Sequence, residues 1–260
     1  MRRLIAFPCA GDTLIGTLDE GSGTTGLLVV SGGNEIRVGA HRGMAELAEA
    51  LAAEGVPVFR YDRRGVGDSS GANEGYEGSA ADIAAAAATF VAEARLTRLV
   101  AFGNCDAATA LARFHAAAGI DALVLANPWI GGTDDTLPAA AAIRSRYAAK
   151  LKDPGEWLRL LRGGVNIAKL AKGLRKAAAT PAQSADDLAT LIAAGVTGIP
   201  ATILLADGDN TAIAFTDAWQ RLAATPPVTI ARIDSASHSF APAGDKAWLR
   251  AQLLAALRAS

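Results

Sequence analysis

The chain has 260 residues, 51% of them hydrophobic, and 25 Lys and Arg against 26 Asp and Glu leave a net charge of −1. That length fits one large domain with a sizeable core, and the balanced charge gives no reason to expect a nucleic-acid partner. Two cysteines far apart in sequence, Cys9 and Cys105, exclude a disulfide framework and a cysteine-rich metal site.

Strands are expected over residues 4–8 and 13–18, joined through Ala10-Gly11-Asp12 as a hairpin. An apolar strand at 27–30 runs into Ser31-Gly32-Gly33-Asn34. A helix is expected over 41–54, where Met44, Leu47, Ala48 and Leu51 fall on one face and Gly55 ends the pattern. Strand 56–61 leads into Asp62-Arg63-Arg64-Gly65-Val66-Gly67, and a helix follows at 80–94. Strand 99–102, helix 107–118 and strand 122–126 come next, the last ending in Asn127-Pro128-Trp129. From 130 to 198 helical patterns run without intervening strands. Strand 201–206, helix 212–223, strand 228–233 and a closing helix at 246–258 complete the chain. Alternating strands and helices predict a mostly parallel sheet covered on both faces, with the early hairpin as an antiparallel edge. The chain therefore divides into a first part of the sheet at 1–129, a helical lid insert at 130–198 and a second part of the sheet at 199–260.

The stretch RLVAFGNCDAATA at 98–110 carries the chemistry. A buried strand, a sharp turn and a helix place Cys105 where a nucleophile elbow places its nucleophile, with small residues, Gly103 and Ala107, two positions to either side. The plainer alternative is a buried cysteine at a strand–helix junction. A nucleophilic thiol needs a base, and the base an orienting acid. Of the three histidines, His115 lies ten residues along the following helix, roughly 15 Å away. His238 follows the last strand, at the same carboxyl edge as the elbow. The acid is expected in Asp207-Gly208-Asp209: Asp209 allows the loop to turn toward His238, and Asp207 is left as a supporting or N-cap group. The order nucleophile, acid, histidine suits this sheet. An oxyanion hole is expected from the backbone of Gly33 and Asn34 and from the N–H of Asp106 at the start of its helix. Gly32, Arg37, His41, Arg42, Asn104 and Trp129 are expected around the substrate pocket. Asp62, Arg63 and Arg64 are expected to brace loops beneath it.

Taken together, Ser31-Gly32-Gly33, the DRRGVGDS run at 62–69, the elbow, Asp209 and His238 resemble an α/β-hydrolase. More narrowly, SGGNEIRVGAHRG at 31–43, FRYDRRGVGDSSG at 59–71 and GNCDAAT at 103–109 resemble the exosortase A system-associated hydrolases of the first type. The chain departs from the superfamily pattern in having Cys for Ser and Ala107 for the last Gly. The resemblance implies an α/β-hydrolase fold and a setting in exopolysaccharide and protein-sorting systems of Gram-negative bacteria. A thiol ordinarily titrates near pH 8.5, and a neighbouring imidazole and a helix N-terminus favour its thiolate. Attack on an ester or thioester then gives an acyl-thioester. Water as the second nucleophile makes an esterase, thioesterase or lactonase; a sugar hydroxyl or an amine makes an acyltransferase; a scaffold that keeps only the fold is the third reading.

The insert is basic between 144 and 176, with ten Lys and Arg against two acidic residues. That charge fits lid helices with a solvated face, or a surface for an anionic partner. No cofactor and no metal are expected: no paired zinc spacing occurs, and the Arg64-Gly65-Val66-Gly67 stretch lacks the context of a dinucleotide fingerprint. The apolar run in MRRLIAFPCAGDTL is too short for a signal peptide. No run approaches the roughly 18 apolar residues of a membrane span. A cytoplasmic location is the expectation.

Overall fold

The computed structural model describes residues 1–131 and 182–259. Eight strands form one sheet: β1 (Arg2–Cys9), β2 (Asp12–Asp19), β3 (Thr25–Val30), β4 (Val58–Tyr61), β5 (Arg98–Asn104), β6 (Ala122–Ala126), β7 (Ala201–Ala206) and β8 (Thr229–Ile233). Their spatial order is β1-β2-β4-β3-β5-β6-β7-β8. β1 pairs with β2, and β2 with β4, antiparallel. All other neighbours are parallel, so the hairpin forms one edge as expected. The hairpin turn is tighter than the sequence indicated. Ala10 and Gly11 alone form it, at φ 50° and 92°, the left-handed pair that matches the twist of two antiparallel strands.

Six helices flank the sheet among the described residues: α1 (Gly43–Ala53), α2 (Ala80–Ala94), α3 (Asp106–Phe114), α4 (Ala182–Gly195), α5 (Asn210–Gln220) and α6 (Ala243–Arg258). The central strands β3 and β6 are apolar along their length because both of their faces are covered. Alternation sorts their side chains. Leu28, Val30, Ala101 and Leu125 join the core under α2, α3, α4 and α5, with Phe90, Leu111, Ile192 and Phe215. Leu27, Val29, Phe102 and Val124 join the opposite core under α1 and α6, with Leu51 and Leu253. Each such Leu, Ile, Val or Phe side chain, once fully buried, is worth about 1.5–3 kcal/mol, so both faces contribute to holding the sheet.

Several helix ends differ from the predicted ones, each for a local reason. The helix expected from His41 begins at Gly43, because His41 and Arg42 sit at φ 52° and 60° in a short 3₁₀ turn. α3 ends at Phe114, and a 3₁₀ turn over Ala116–Ala118 stops at Gly119 with φ 66°. α5 begins two residues early because the Asp209 carboxylate accepts the N–H groups of Thr211 and Ala212. α6 begins at Ala243, directly after Pro242. Of the insert, residues 132–181, including the whole basic stretch, lie outside the described residues, and α4 forms most of its C-terminal part. A Cβ on Gly195 would overlap the carbonyl of Ala112, so glycine is what lets the end of α4 lie against α3. Among the described residues no helix is long and apolar enough to cross a membrane.

Candidate active site

β5 delivers the chain to Cys105, which adopts φ 61° and ψ −127° before α3 starts at Asp106. A non-glycine residue rarely takes this conformation and costs of order 1–3 kcal/mol there, so the surroundings must hold it. They do so from both sides: the Cys105 N–H donates to the Ala126 carbonyl at 3.0 Å, and its carbonyl accepts from the Trp129 N–H at 3.2 Å. The helix folds back closely on the strand. A Cβ on Gly103 would lie 2.8 Å from the backbone carbon of Ala107, which is why small residues flank the turn.

The carboxyl ends of β7 and β8 bring in the other two groups. His238 Nδ1 lies 3.1 Å from Asp209 Oδ2. The same oxygen accepts the Thr211 and Ala212 N–H groups, each at 3.1 Å. Asp209 is thus at once the N-cap of α5 and the partner of His238. Burial opposes its ionisation, but the hydrogen bond to His238 and the helix N–H groups outweigh this and hold it below the usual aspartate range. Burial likewise pushes the His238 imidazole down. Its hydrogen bonds to Asp209 and to Cys105, with the charges of both, more than reverse this and raise it to about 10. Asp207 takes no part: it leaves the loop outward, paired with Arg232 at 2.6 Å, and it does not cap α5. The other cysteine contrasts with Cys105. Burial, together with Asp82, raises the Cys9 thiol to about 11, and it donates to Asp82 Oδ1 at 3.4 Å.

The loop after β3 lies across from the elbow. A Cβ on Gly32 would run into the Asp106 carboxylate and the Asn104 carbonyl. Gly33, at φ 53°, directs its N–H not into open space but onto Asp106 Oδ1, at 2.7 Å. An oxyanion that uses this N–H must therefore displace a carboxylate. Arg63, buried, holds the assembly from below by donating to the Gly33 carbonyl, and it lies 3.7 Å from Asp106 Oδ2. Asn34 is exposed, and its side chain accepts from Asn73 at 2.8 Å.

The residues expected around the pocket divide. Arg37 is drawn away from the mouth: it pairs with the fully buried Asp62 and reaches Asp68 at 2.9 Å, because a buried carboxylate needs a cation. His41 and Arg42 are exposed on the left-handed turn before α1. Trp129 contributes its backbone to the elbow, and its ring packs edge-on against Tyr76 at 5.4 Å. Asn104 turns inward, donating to the His238 carbonyl at 3.0 Å. Arg64 braces the loop through Asp82 and the Gly78 carbonyl, as expected. Sequence reasoning missed Asn127, whose amide joins the Asn104 side chain and the His238 backbone. Only an Asn at the end of an apolar strand marked it. A cavity of about 280 Å³ lies between α1 and α6, lined by Met44, Leu47, Lys246 and Leu249. It meets the His238 loop only at Ser239 and Phe240, and neither Cys105 nor Asp209 lines it.

An eight-stranded, mostly parallel sheet with a nucleophile turn after β5, an acid after β7 and a histidine after β8 is the α/β-hydrolase fold. The alpha/beta hydrolase family profile matches residues 27–251, and the chain belongs to that family. Solved structures with the same fold include an α/β serine hydrolase without a lid from Xanthomonas campestris, at 17% identity and a TM-score of 0.60, covering 99% of this chain and 94% of that one. An esterase from Pyrococcus furiosus is similar at 18% identity and a TM-score of 0.66, covering 99% and 90%. The thioesterase domain from the curacin biosynthetic pathway is similar at 13% identity and a TM-score of 0.57, covering 98% and 99%. No curated protein sequence matches the chain.

Proposed function

We propose that this protein hydrolyses carboxylic ester or thioester bonds, with Cys105 as nucleophile, His238 as general acid and base, and Asp209 as the group that orients and charges the imidazole. One observation carries the reading. A cysteine on a strained strand–helix turn lies close enough to a histidine to act on its charge, and Nδ1 of that histidine is bound to a buried carboxylate. Because His238 is raised to about 10, its ring holds a proton at neutral pH, and an imidazolium favours a thiolate beside it.

The steps follow. Cys105 Sγ attacks the carbonyl carbon, and the C=O electrons move onto oxygen. The N–H groups of Asp106 and Gly33 face that oxygen once the Asp106 carboxylate has swung off Gly33. The oxyanion collapses, the bond to the leaving group breaks, and His238 delivers its proton to the departing alkoxide or thiolate. An acyl-thioester on Cys105 remains. His238, now neutral, takes a proton from water as the water attacks, the sulfur recovers its electron pair, and the product leaves as the carboxylic acid, which gives its remaining proton to solvent. The esterases and the thioesterase domain of the same fold support this reaction class. The motifs at 31–43, 59–71 and 103–109 support a setting among exosortase-linked exopolysaccharide systems.

The test is turnover of p-nitrophenyl acetate with mass analysis of the quenched enzyme. Wild type is expected to carry one acetyl group on Cys105 during turnover. Cys105→Ser and His238→Ala are each expected to lose about 10²-fold or more in kcat, since general base assistance alone is worth that much. Turnover by Cys105→Ser at the wild-type rate, or wild-type turnover with no adduct on Cys105, overturns the reading.

A further inference from the structure

We propose that Asn127 is the positioning residue of this site: its buried side-chain amide fixes the backbone of His238 relative to Cys105. The inference rests on the hydrolase reading above. Asn127 sits just past the end of β6, with no exposed surface and φ 40°. Its Oδ1 accepts the Ala206 N–H at 2.9 Å. A backbone N–H only donates, so this bond decides which way the amide faces. Nδ2 is left to point the other way, donating to Asn104 Oδ1 at 3.2 Å and to the His238 carbonyl at 3.3 Å. Asn104, next in sequence to the nucleophile, donates to that same carbonyl at 3.0 Å. One side chain therefore joins the strand of Cys105, the strand that leads to Asp209, and the main chain of His238.

The rest of the histidine loop shows why such a tie is needed. Between 235 and 241 the loop is closed mainly on itself, through Ser237 N–H to Ser235 Oγ at 3.0 Å and Ala241 N–H to Ser237 Oγ at 2.9 Å. Its two ends are fastened outside the loop, by the Gly208 N–H to the Ser235 carbonyl at 2.8 Å, by Ser235 Oγ donating to Asp245 of α6, and by buried Phe240 stacked on Trp248 at 5.9 Å, while between them the His238 carbonyl is held by the two asparagines. The His238 side chain is 40% exposed, so packing holds it only in part. Two amide donors on its carbonyl supply the missing constraint, and a displacement of about 1 Å at such a group is enough to cost a large factor in rate. The ionisable groups acting on His238 are Asp209 and Cys105, and the Asn127 side chain bonds to neither, its partners being Asn104, Ala206 and the His238 carbonyl.

Two variants test this. Asn127→Asp keeps the acceptor for Ala206 and replaces both donors with an oxygen facing two carbonyl-type oxygens. Asn104→Ala removes the second donor and leaves Asn127 intact. Both are compared with wild type and His238→Ala in p-nitrophenyl acetate turnover and in the pH dependence of iodoacetamide labelling at Cys105, with melting curves to establish folding. The expected result is a kcat at least tenfold lower in Asn127→Asp and severalfold lower in Asn104→Ala, with KM within twofold of wild type. The pH at half-maximal labelling moves upward in both. Wild-type kcat and labelling in folded Asn127→Asp overturn the inference, and Asn127→Ala, which removes the amide without adding a charge, decides it by the same readouts if Asn127→Asp does not fold. Equal labelling of wild type and His238→Ala overturns the triad itself, a separate result visible without either asparagine variant.

Discussion

Three donors share Asp209 Oδ2, and that sharing separates two roles that usually fall to different residues. As an N-cap the oxygen satisfies two N–H groups of α5; as a carboxylate it balances the charge of His238. An amide in place of this carboxylate would retain an oxygen for all three donors and lose only the charge. Asp209→Asn is therefore expected to lose only the stability that the charge supplies and to keep that of the cap, since Asn caps helices as well as Asp does. Its ester turnover is expected to fall by about 10²-fold or more, because the imidazolium loses its counter-charge. Asp209→Ala is expected to lose the same activity and about 1 kcal/mol of stability besides, the ordinary cost of a missing cap. Melting curves and kcat on the two variants check this; equal stability of the two would remove the capping role.

At the scale of elements, the elbow depends on how closely α3 returns over β5. A Cβ at Gly103 would meet the Ala107 backbone at 2.8 and 2.9 Å and the Leu111 side chain at 2.9 Å. Leu111 can turn aside, but the helix backbone cannot move without dragging Asp106 and Cys105 with it. Gly103→Ala is expected to cost about 1–3 kcal/mol, the usual range for overpacking, and to lower kcat more than it raises KM, read from denaturant melts and steady-state kinetics. This much was legible in the sequence, because Gly103 and Ala107 flank a cysteine between an apolar run and an Ala-rich helix. The parallel strands were legible for a similar reason: each is a short apolar run bounded by a turn. The start of α1 was not, since nothing in the composition of His41 and Arg42 marks a left-handed backbone. Nor were the closure of Asp106 onto Gly33 and the amide of Asn127, which arise only when separate strands end side by side.

Across the whole molecule the proposed triad is a long-range tie, joining position 105 to a loop near the far end of the chain. Its charges therefore bear on folding as well as on rate. His238 is raised from its ordinary 6.5 to about 10 in the folded protein, so the native state holds a proton that the unfolded chain releases. The stabilisation from that proton is complete below about pH 6.5, declines as pH rises, and is gone above about pH 10. Asp209 is shifted the other way, and its contribution is present above its ordinary 3.8 and is lost as pH falls below that value. Between those limits both act together. The difference in melting temperature between wild type and His238→Ala is accordingly expected to be largest near pH 5–6 and to shrink steadily toward pH 10. Burial of the imidazole alone would give the opposite trend, because a desolvated histidine favours its neutral form and stabilises the fold more as pH rises. A difference that grows with pH would mean that His238 is held neutral, and the charged pair with Asp209 would go with it.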